Sequence, residues 1–180
     1  MHSSSVGLEP ADPRPHERAS TTMRDVMSQF ATGVIVLTVG GEHVHGMTAN
    51  SFTSVSLEPP LVLCCVARTA VMHKAITFAR RFAVSILGAD QEDLARYFAD
   101  KGRQLGPAQF DEVDWLPGPR TRAPLLSGSP AWLECELTGS YESGDHSIFL
   151  GAVFSLGRGC GRGGLLFFDG KYRQVEAHAG

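Results

Sequence analysis

The sequence predicts a mainly β protein, an antiparallel barrel with helices on its periphery. About seven short apolar segments have strand length and are separated by turn residues. Segments with helical spacing are scattered among these strands and do not alternate with them. A parallel sheet needs a crossover between successive strands, so this order of elements favours antiparallel pairing.

The predicted domain organisation is simple. The chain has 180 residues, which is the size of one domain. Residues 1–20 are rich in proline, serine and charged residues, and this composition predicts a disordered N-terminal arm. The folded domain is therefore expected to cover residues 21–180.

Composition and charge exclude several classes of protein. Hydrophobic residues make up 43% of the chain and charged residues 19%, as in ordinary globular proteins. The formal net charge is -3, whereas nucleic-acid-binding proteins normally carry a basic surplus, so no nucleic-acid partner is expected. No apolar run has the length of a membrane span, and the N-terminus lacks the pattern of a signal peptide. The expected location is the cytoplasm, without membrane attachment.

The cysteines fit a reducing compartment. None of them belongs to a C-x-x-C pair, so neither a zinc site nor a thioredoxin-type site is predicted. Cys64 and Cys65 are neighbours in an apolar strand, and their side chains are expected on opposite faces. Reduced thiols that act as small hydrophobic residues are the expected state.

A short helix and a β-hairpin are predicted first. Thr22 and Asp25 have the spacing of a capping box, with Asp in place of Glu, and apolar residues then recur at helical spacing. These signals predict a helix over 22–31. After Gly33 the run VIVLTV has strand character, and a Gly-Gly pair predicts a tight turn into a strand over 42–51.

The stretch Gly46–Pro60, GMTANSFTSVSLEPP, is rich in short hydrogen-bonding side chains on a backbone expected to be extended. A row of neutral donors suits an anionic group together with a planar polar heterocycle, because no fixed charge is buried when the site is empty. The competing interpretation is an edge strand whose hydroxyls bond within their own loop. The side chains concerned are Thr48, Asn50, Ser51, Ser54 and Ser56.

The next segment predicts two strands and two helices. The run LVLCCVA predicts a strand over 61–67, and FAVSIL predicts another over 82–87. Thr69 is expected to cap the helix between them, and Asp90 to cap a helix that ends at Gly102. The side chains expected to face inward from this second helix are Leu94, Tyr97 and Phe98.

The C-terminal part is predicted to be a long loop followed by strands. The loop covers 103–122, with Trp115 as its anchor. Alternating apolar and polar residues predict an antiparallel strand over 130–140. The strands SIFLGAVFSL, LLFF and KYRQV follow, separated by a glycine-rich loop and an Asp-Gly turn.

Two motifs suggest chemistry that their context does not support. Gly159–Gly164 matches G-x-G-x-x-G, but a strand follows where a dinucleotide-binding turn needs a helix. His43 and His45 are expected on one side of a strand, and with Asp145-His146 they offer metal ligands. The spacing supplies no further regular ligand, so no metal is predicted.

The turn Gly144-Asp145-His146 and the single residue Lys101 each allow two interpretations. The turn places an imidazole at the mouth of a strand, where it can meet a ligand, or it is an ordinary Asx-type turn with an exposed histidine. Lys101 follows a helix, so it can face an anion or stabilise the helix C-terminus.

Several segments together resemble the short-chain flavin reductase family, the reductase components of two-component flavin-dependent monooxygenases. They are FATGVIVLTV, the central stretch with LVLCCVA, FAVSIL, YFADK, VDW, GDHSIFLGAV and LLFFDGKYR, and they cover residues 23–175 in the order and spacing of that family. The resemblance implies an antiparallel split β-barrel of Greek-key type and a homodimer. It also implies hydride transfer from NADH or NADPH to FMN or FAD, with the reduced flavin diffusing to a separate monooxygenase.

The resemblance implies a set of site residues. His146 is expected to be the catalytic residue and to face the nicotinamide. The predicted flavin contacts are Met47, Thr48, Ala49, Asn50, Ser51, Ser54, Val55, Ser56, Cys65, Val66, Ala67, Phe98 and Lys101. The predicted nicotinamide contacts are Thr32, Gly33, Asp145, His146 and Tyr172.

The chain departs from the family pattern at four positions: Ser85 stands for Asn, Ser147 for Thr, Ala152 for Glu and Gln109 for Arg. These departures leave the choice of flavin and nicotinamide open. Two other functions remain as alternatives. One is a non-catalytic split-barrel protein that carries or senses flavin. The other is a pyridoxamine-phosphate-oxidase-like enzyme, which would need more basic residues around a phosphate.

Overall fold

The computed structural model describes residues 21–176. The predicted arm, residues 1–20, lies outside the described residues, as do residues 177–180. The helices of the described part are α1 (Met23–Met27), α2 (Val71–Ala79) and α3 (Glu92–Ala99), with 3₁₀ helices at Gly41–His43 and Gly106–Phe110. The strands are β1 (Thr32–Gly33), β2 (Ile35–Val39), β3 (His45–Ala49), β4 (Phe52–Leu57), β5 (Pro60–Ala67), β6 (Arg81–Ile86), β7 (Trp115–Pro117), β8 (Pro124–Leu126), β9 (Ala131–Ser143), β10 (His146–Arg158), β11 (Gly164–Phe168) and β12 (Lys171–Val175).

The main sheet is antiparallel and has the strand order β3-β2-β6-β9-β10-β5-β4. Its two edge strands, β3 and β4, are consecutive in the chain and are joined only by Asn50 and Ser51. So short a link forces the two edges together, and the sheet must curl into a barrel. Within residues 21–176, β3 and β4 form no ladder with each other, so the barrel is split along this line, which we call the seam. The predicted antiparallel split barrel with peripheral helices is confirmed.

Smaller elements surround the barrel. Strands β1, β11 and β12 form one small sheet, and β7 and β8 form a hairpin. Helix α2 closes the barrel with the buried side chains of Met72, Ala75 and Ile76. None of the helices in residues 21–176 is long and apolar enough to cross a membrane.

Strand β2 separates two hydrophobic cores. Ile35, Leu37 and Val39 pack into the barrel interior. Val36 points the other way, into a second core that contains Phe98 of α3. Every residue of β2 is buried. Burial on both faces explains why this strand lacks the alternation typical of a half-exposed strand, and its one polar side chain, Thr38, donates to the Pro124 carbonyl (2.7 Å).

The first helix is shorter than predicted. The capping box of Thr22 and Asp25 is present, but α1 ends at Met27. No residue of α1 is buried within the single chain. A helix this short gains little stability without packing, so its apolar spacing alone does not extend it to residue 31.

Two predicted helix caps lie one residue too early. Helix α2 begins after Ala70 in place of Thr69, and α3 begins after Gln91 in place of Asp90. Neither cap residue bonds its own helix through the side chain. The amide oxygen of Gln91 instead accepts a hydrogen bond from the Gly88 N–H (2.9 Å), which fixes the turn that precedes α3.

The segment 103–122 was predicted as one loop, but it contains the 3₁₀ helix Gly106–Phe110 and strand β7. Its buried aromatic anchor is Phe110, and the predicted anchor Trp115 packs against it from outside with ring centroids 5.9 Å apart. Phe110 is buried and its ring lies 5.4 Å from that of Phe98, whereas Trp115 is 38% exposed. Tyr97 is also partly exposed, because its hydroxyl donates to the Gln109 carbonyl (2.9 Å) at the rim of this loop.

Glu134 on β9 is a buried carboxylate that anchors the turn between β7 and β8. Its Oε1 accepts hydrogen bonds from the Thr121 N–H (2.7 Å), the Thr121 hydroxyl (2.7 Å) and the Arg120 N–H (3.1 Å). Burial raises the pKa of this carboxyl, but hydrogen bonding by Thr121, Ser155 and Arg120 together outweighs burial and holds the pKa below its ordinary value. The folded state therefore favours the ionised carboxylate.

The substitution Glu134→Gln is expected to lower the free energy of unfolding by about 1–2 kcal/mol. The hydrogen bonds that Oε1 accepts would lose their charge assistance, and the new amide nitrogen would take the buried position of Oε2, which has no hydrogen-bond partner within residues 21–176. Urea unfolding measures the change. Glu136 lies two residues away on the same strand and is exposed, so Glu136→Gln is the matched control and should be neutral. Equal midpoints for the two variants would contradict the anchoring role.

Candidate active site

A cavity of about 500 Å³ lies beside the seam. Its walls come from β3, the end of β5, the start of α2 and the loop after α3. The structure brings ten of the predicted flavin contacts together here with His146. The ten are Met47, Thr48, Ala49, Asn50, Ser51, Cys65, Val66, Ala67, Phe98 and Lys101. We call this space the seam cavity.

Two further cavities adjoin it through Asn50. One, of about 660 Å³, includes Thr32 and residues of α1, and the other, of about 130 Å³, includes Tyr172. Asn50 lines all three cavities. The predicted nicotinamide contacts His146, Thr32 and Tyr172 therefore line three different cavities that share Asn50.

Five predicted contacts are not among the lining residues of these cavities. Ser54, Val55 and Ser56 lie on β4, where Ser54 pairs with Val62 across a register shift at Val55. Gly33 pairs with Leu166 in the small sheet, and Asp145 lies in the turn before β10. Their roles in binding stay predictions.

The Gly144-Asp145-His146 turn holds the His146 ring at the seam cavity. His146 is the first residue of β10 and pairs with Ala67 of β5. Its Nδ1 donates to Asp145 Oδ1 (2.8 Å), and this hydrogen bond lowers the pKa of the Asp145 carboxyl. With Nδ1 engaged in this way, Nε2 is the ring nitrogen left for a ligand.

The row of free donors in the central stretch is shorter at the seam cavity than the sequence predicted. The Thr48 hydroxyl donates to the Ala95 carbonyl of α3 (2.7 Å), so it serves the fold. The side chains of Asn50 and Ser51 form no hydrogen bond within residues 21–176. Thr48 therefore fits the structural interpretation of the central stretch, whereas Asn50 and Ser51 fit the ligand-binding interpretation.

The remaining lining residues were not predicted. They are His45, Thr69, Ala70, Val71, Ala99, Arg103 and Leu105. The sequence offered two weak signals for this wall. One was a second basic residue two positions after Lys101, and the other was the polar Gln109 next to an aromatic residue.

Gln109, in the 3₁₀ helix Gly106–Phe110, fixes the start of β3 through hydrogen bonds. It is fully buried, and its Oε1 accepts a hydrogen bond from the Gly46 N–H (2.9 Å). This bond orients the amide, so Nε2 donates to His45 Nδ1 (3.0 Å) and to the Gly106 carbonyl (3.1 Å). His45 must therefore accept at Nδ1 and carry its proton on Nε2.

His45 is neutral in the folded protein. Burial, followed by the charge of Arg103, lowers the pKa of its imidazole to about 4. His43 does not share this environment, because it lies in a 3₁₀ helix and stacks on Phe78 with ring centroids 5.3 Å apart. The two imidazoles predicted on one side of a strand are thus separated. No three His, Cys, Asp or Glu side chains within residues 21–176 converge on a metal-sized position.

Acidification is expected to destabilise the wild type more than a His45→Gln variant. Between pH 6.5 and about 4 the unfolded chain binds a proton at His45 and the folded chain does not, so stability falls as the pH falls. Urea midpoints across this range measure the effect. Parallel curves for wild type and His45→Gln would contradict the neutral assignment.

Comparison with known proteins gives a consistent match. Residues 27–176 match the model of the flavin reductase like domain. The chain is 54% identical over 157 residues to the NADH-dependent FAD reductase of Streptomyces globisporus, covering 87% of this chain and 86% of that protein. It is 35% identical to the flavin-dependent monooxygenase reductase subunit HsaB of Mycobacterium tuberculosis, covering 86% of this chain and 82% of that protein.

A solved structure gives the same result. The NADH:FAD oxidoreductase SgcE6 of Streptomyces globisporus C-1027, in complex with NAD and FAD fragments, superposes with a TM-score of 0.82. That comparison has 48% sequence identity and covers 96% of this chain and 100% of the other.

Proposed function

This chain belongs to the flavin reductase-like family, and we propose that its seam cavity holds flavin and nicotinamide for hydride transfer between them. The protein is an NAD(P)H-dependent flavin reductase. The observation that carries the assignment of the site is the convergence of ten predicted flavin contacts and His146 on one cavity. Among the possible pairs, FAD and NADH are the proposed substrates, because a relative of 54% identity is named an NADH-dependent FAD reductase.

The side chains present fit a flavin. The cavity offers apolar walls from Met47, Ala49 and Val66 and uncommitted polar groups from Asn50 and Ser51. Basic residues, Lys101 and Arg103, are concentrated on the loop after α3. A planar polar heterocycle with an anionic tail needs this combination of surfaces.

The residues of the chain act mainly by positioning. When both are bound, NADH supplies the hydride and the flavin ring accepts it. Cavity walls orient the two rings and exclude water, which is where a protein contributes most to such a transfer. The backbone between Ala49 and Ser51 and the side chain of Asn50 can donate hydrogen bonds to a ring that gains negative charge. His146, oriented by Asp145, can hold a polar group of the nicotinamide.

Nicotinamide oxidation by the purified full chain tests the proposal, with NADH and NADPH each combined with FAD and FMN. The expected result is oxidation well above the protein-free rate, fastest with NADH and FAD. Binding of flavin without oxidation of either nicotinamide would favour the carrier or sensor alternative. A rate equal to the protein-free rate in all four combinations would contradict the proposed use of the cavity.

A homodimer is part of the proposal. Helix α1 exposes two large apolar side chains, Met23 (79%) and Val26 (60%). Phe30, three residues after the helix, is also exposed (66%), so a single chain leaves this apolar surface in water. We propose that a second copy of the chain packs against this apolar surface. Light scattering at micromolar concentration should give twice the chain mass, and a monomer would contradict this proposal.

A partner oxygenase and a cellular location complete the proposal. The reduced flavin is proposed to diffuse to a separate flavin-dependent monooxygenase, because HsaB, at 35% identity, is named as the reductase subunit of one. The cytoplasm is the proposed location. Its support is that every cysteine in residues 21–176 is free, which suits a reducing compartment.

A further inference from the structure

Arg103 lines the seam cavity, and hydrogen bonds to the backbone hold its guanidinium in place. It lies on the loop after α3 and is half-buried. Its guanidinium donates to two backbone carbonyls, from Nη1 to that of Asp100 and from Nη2 to that of Gly46. These two hydrogen bonds fix the guanidinium between the loop and the start of β3.

This guanidinium has no counter-ion within residues 21–176. No carboxylate lies within ion-pair distance of it, and the Asp100 carboxylate instead accepts a hydrogen bond from the Gly102 N–H (2.8 Å). Its Nε is buried and has no acceptor. Arg103 Nη2 also lies 3.4 Å from His45 Nε2, which belongs to a neutral imidazole that carries its proton on that atom. A half-buried cation without a counter-ion costs free energy, and an anionic ligand would recover part of that cost.

We propose that Arg103 is the residue that binds the phosphate of the flavin, either the phosphomonoester of FMN or the adjoining phosphate of FAD. This inference rests on the proposed function, since it assigns one end of the same site. Arginine suits the role, because its planar guanidinium retains its charge and offers several donors to phosphate oxygens. Lys101, which is exposed and forms no fixed contact within residues 21–176, supplies a second, less ordered charge.

The position of Arg103 along β3 fits the flavin phosphate. The guanidinium binds Gly46, at one end of the strand, whereas Asn50 and His146 mark the region proposed for the two rings. A strand rises about 3.3 Å per residue, so Gly46 and Asn50 lie roughly 13 Å apart. That separation is comparable with the span of a ribityl chain between a flavin ring and its phosphate.

Removing the phosphate from the ligand and the guanidinium from the protein tests the proposal. Dissociation constants for riboflavin, FMN and FAD are measured by flavin fluorescence for wild type, Arg103→Gln and the control Arg158→Gln. Arg158 is exposed at the end of β10, outside the seam cavity. Arg103→Gln should weaken FMN and FAD binding by about tenfold to a hundredfold and leave riboflavin binding within about twofold. Arg158→Gln should match wild type for all three ligands.

Several outcomes would overturn the assignment. Equal weakening of riboflavin and FMN would make Arg103 a structural part of the wall, and weakening of NADH binding alone would assign it to the other substrate. If Arg103→Gln fails to fold, the wild-type protein still tests the proposal. Wild-type protein that binds riboflavin as tightly as FMN would overturn it. Failure of the proposed function differs from all of these, since the wild type would then oxidise no nicotinamide, whatever its flavin affinities.

Discussion

Replacing His146 with alanine will lower kcat/KM for the nicotinamide by about tenfold to a hundredfold, the effect of losing one oriented hydrogen bond of roughly 1–3 kcal/mol. The imidazole is held at the cavity by its hydrogen bond to Asp145 (2.8 Å), and its Nε2 is available to a ligand. We assign it a positioning role because hydride transfer itself moves no separate proton. Steady-state kinetics at saturating flavin measure the change.

Two comparisons make the His146 result specific. Flavin affinity should change little, because the proposed flavin contacts lie mainly on β3 and β5. His43→Ala removes a histidine that stacks on Phe78 outside the seam cavity, and it should leave the kinetics unchanged. Wild-type nicotinamide kinetics in His146→Ala would refute the role, and so would a defect that added flavin fully rescues.

Replacing Gly46 with valine will destabilise the fold by about 3 kcal/mol, at the upper end of the cost of overpacking a core. A Cβ at this position would lie 2.5 Å from Cε1 of Phe98 and 3.1 Å from Cζ of Phe110. Phe98 is fully buried in the second core, so its ring can move only by disturbing that core. The same ring lines the seam cavity, so flavin binding should weaken in the folded fraction as well.

The control for this variant is a glycine with open space at the position of a Cβ atom. At Gly164, the first residue of β11, an added Cβ would meet no atom within 4 Å. Gly164→Val should therefore keep the wild-type urea midpoint and flavin affinity. If Gly46→Val were as stable as Gly164→Val, the close packing of β3 against Phe98 would be contradicted.

Much of the fold could be predicted because its signals are local. The mainly apolar run of β2, the Pro-terminated central stretch and the Gly-Asp-His turn each identify an element from a few residues. The closure of the barrel depends in addition on the strand order, because only that order makes β3 and β4, joined by Asn50 and Ser51, the two edges of the sheet. Helix ends were less predictable, because they depend on what packs against the helix, as the short and exposed α1 illustrates.

The loop side of the site could not be predicted because it depends on contacts between distant residues. Gln109 bonds His45 across 64 positions, and Thr48 bonds Ala95 across 47 positions. Neither partner carries a spacing signal in the sequence. The residues of β3 and β5 were identified because they belong to contiguous segments that resemble the flavin reductase family, whereas Arg103 lines the same cavity from an irregular loop.

The central claim is that this cavity catalyses hydride transfer from nicotinamide to flavin. Anaerobic rapid mixing of NADH with protein and FAD, followed by the loss of oxidised-flavin absorbance, tests it most directly. We predict bleaching that saturates with NADH, far exceeds the protein-free rate and slows by about tenfold or more in His146→Ala at subsaturating NADH. Bound FAD that stays oxidised at every NADH concentration would contradict the claim.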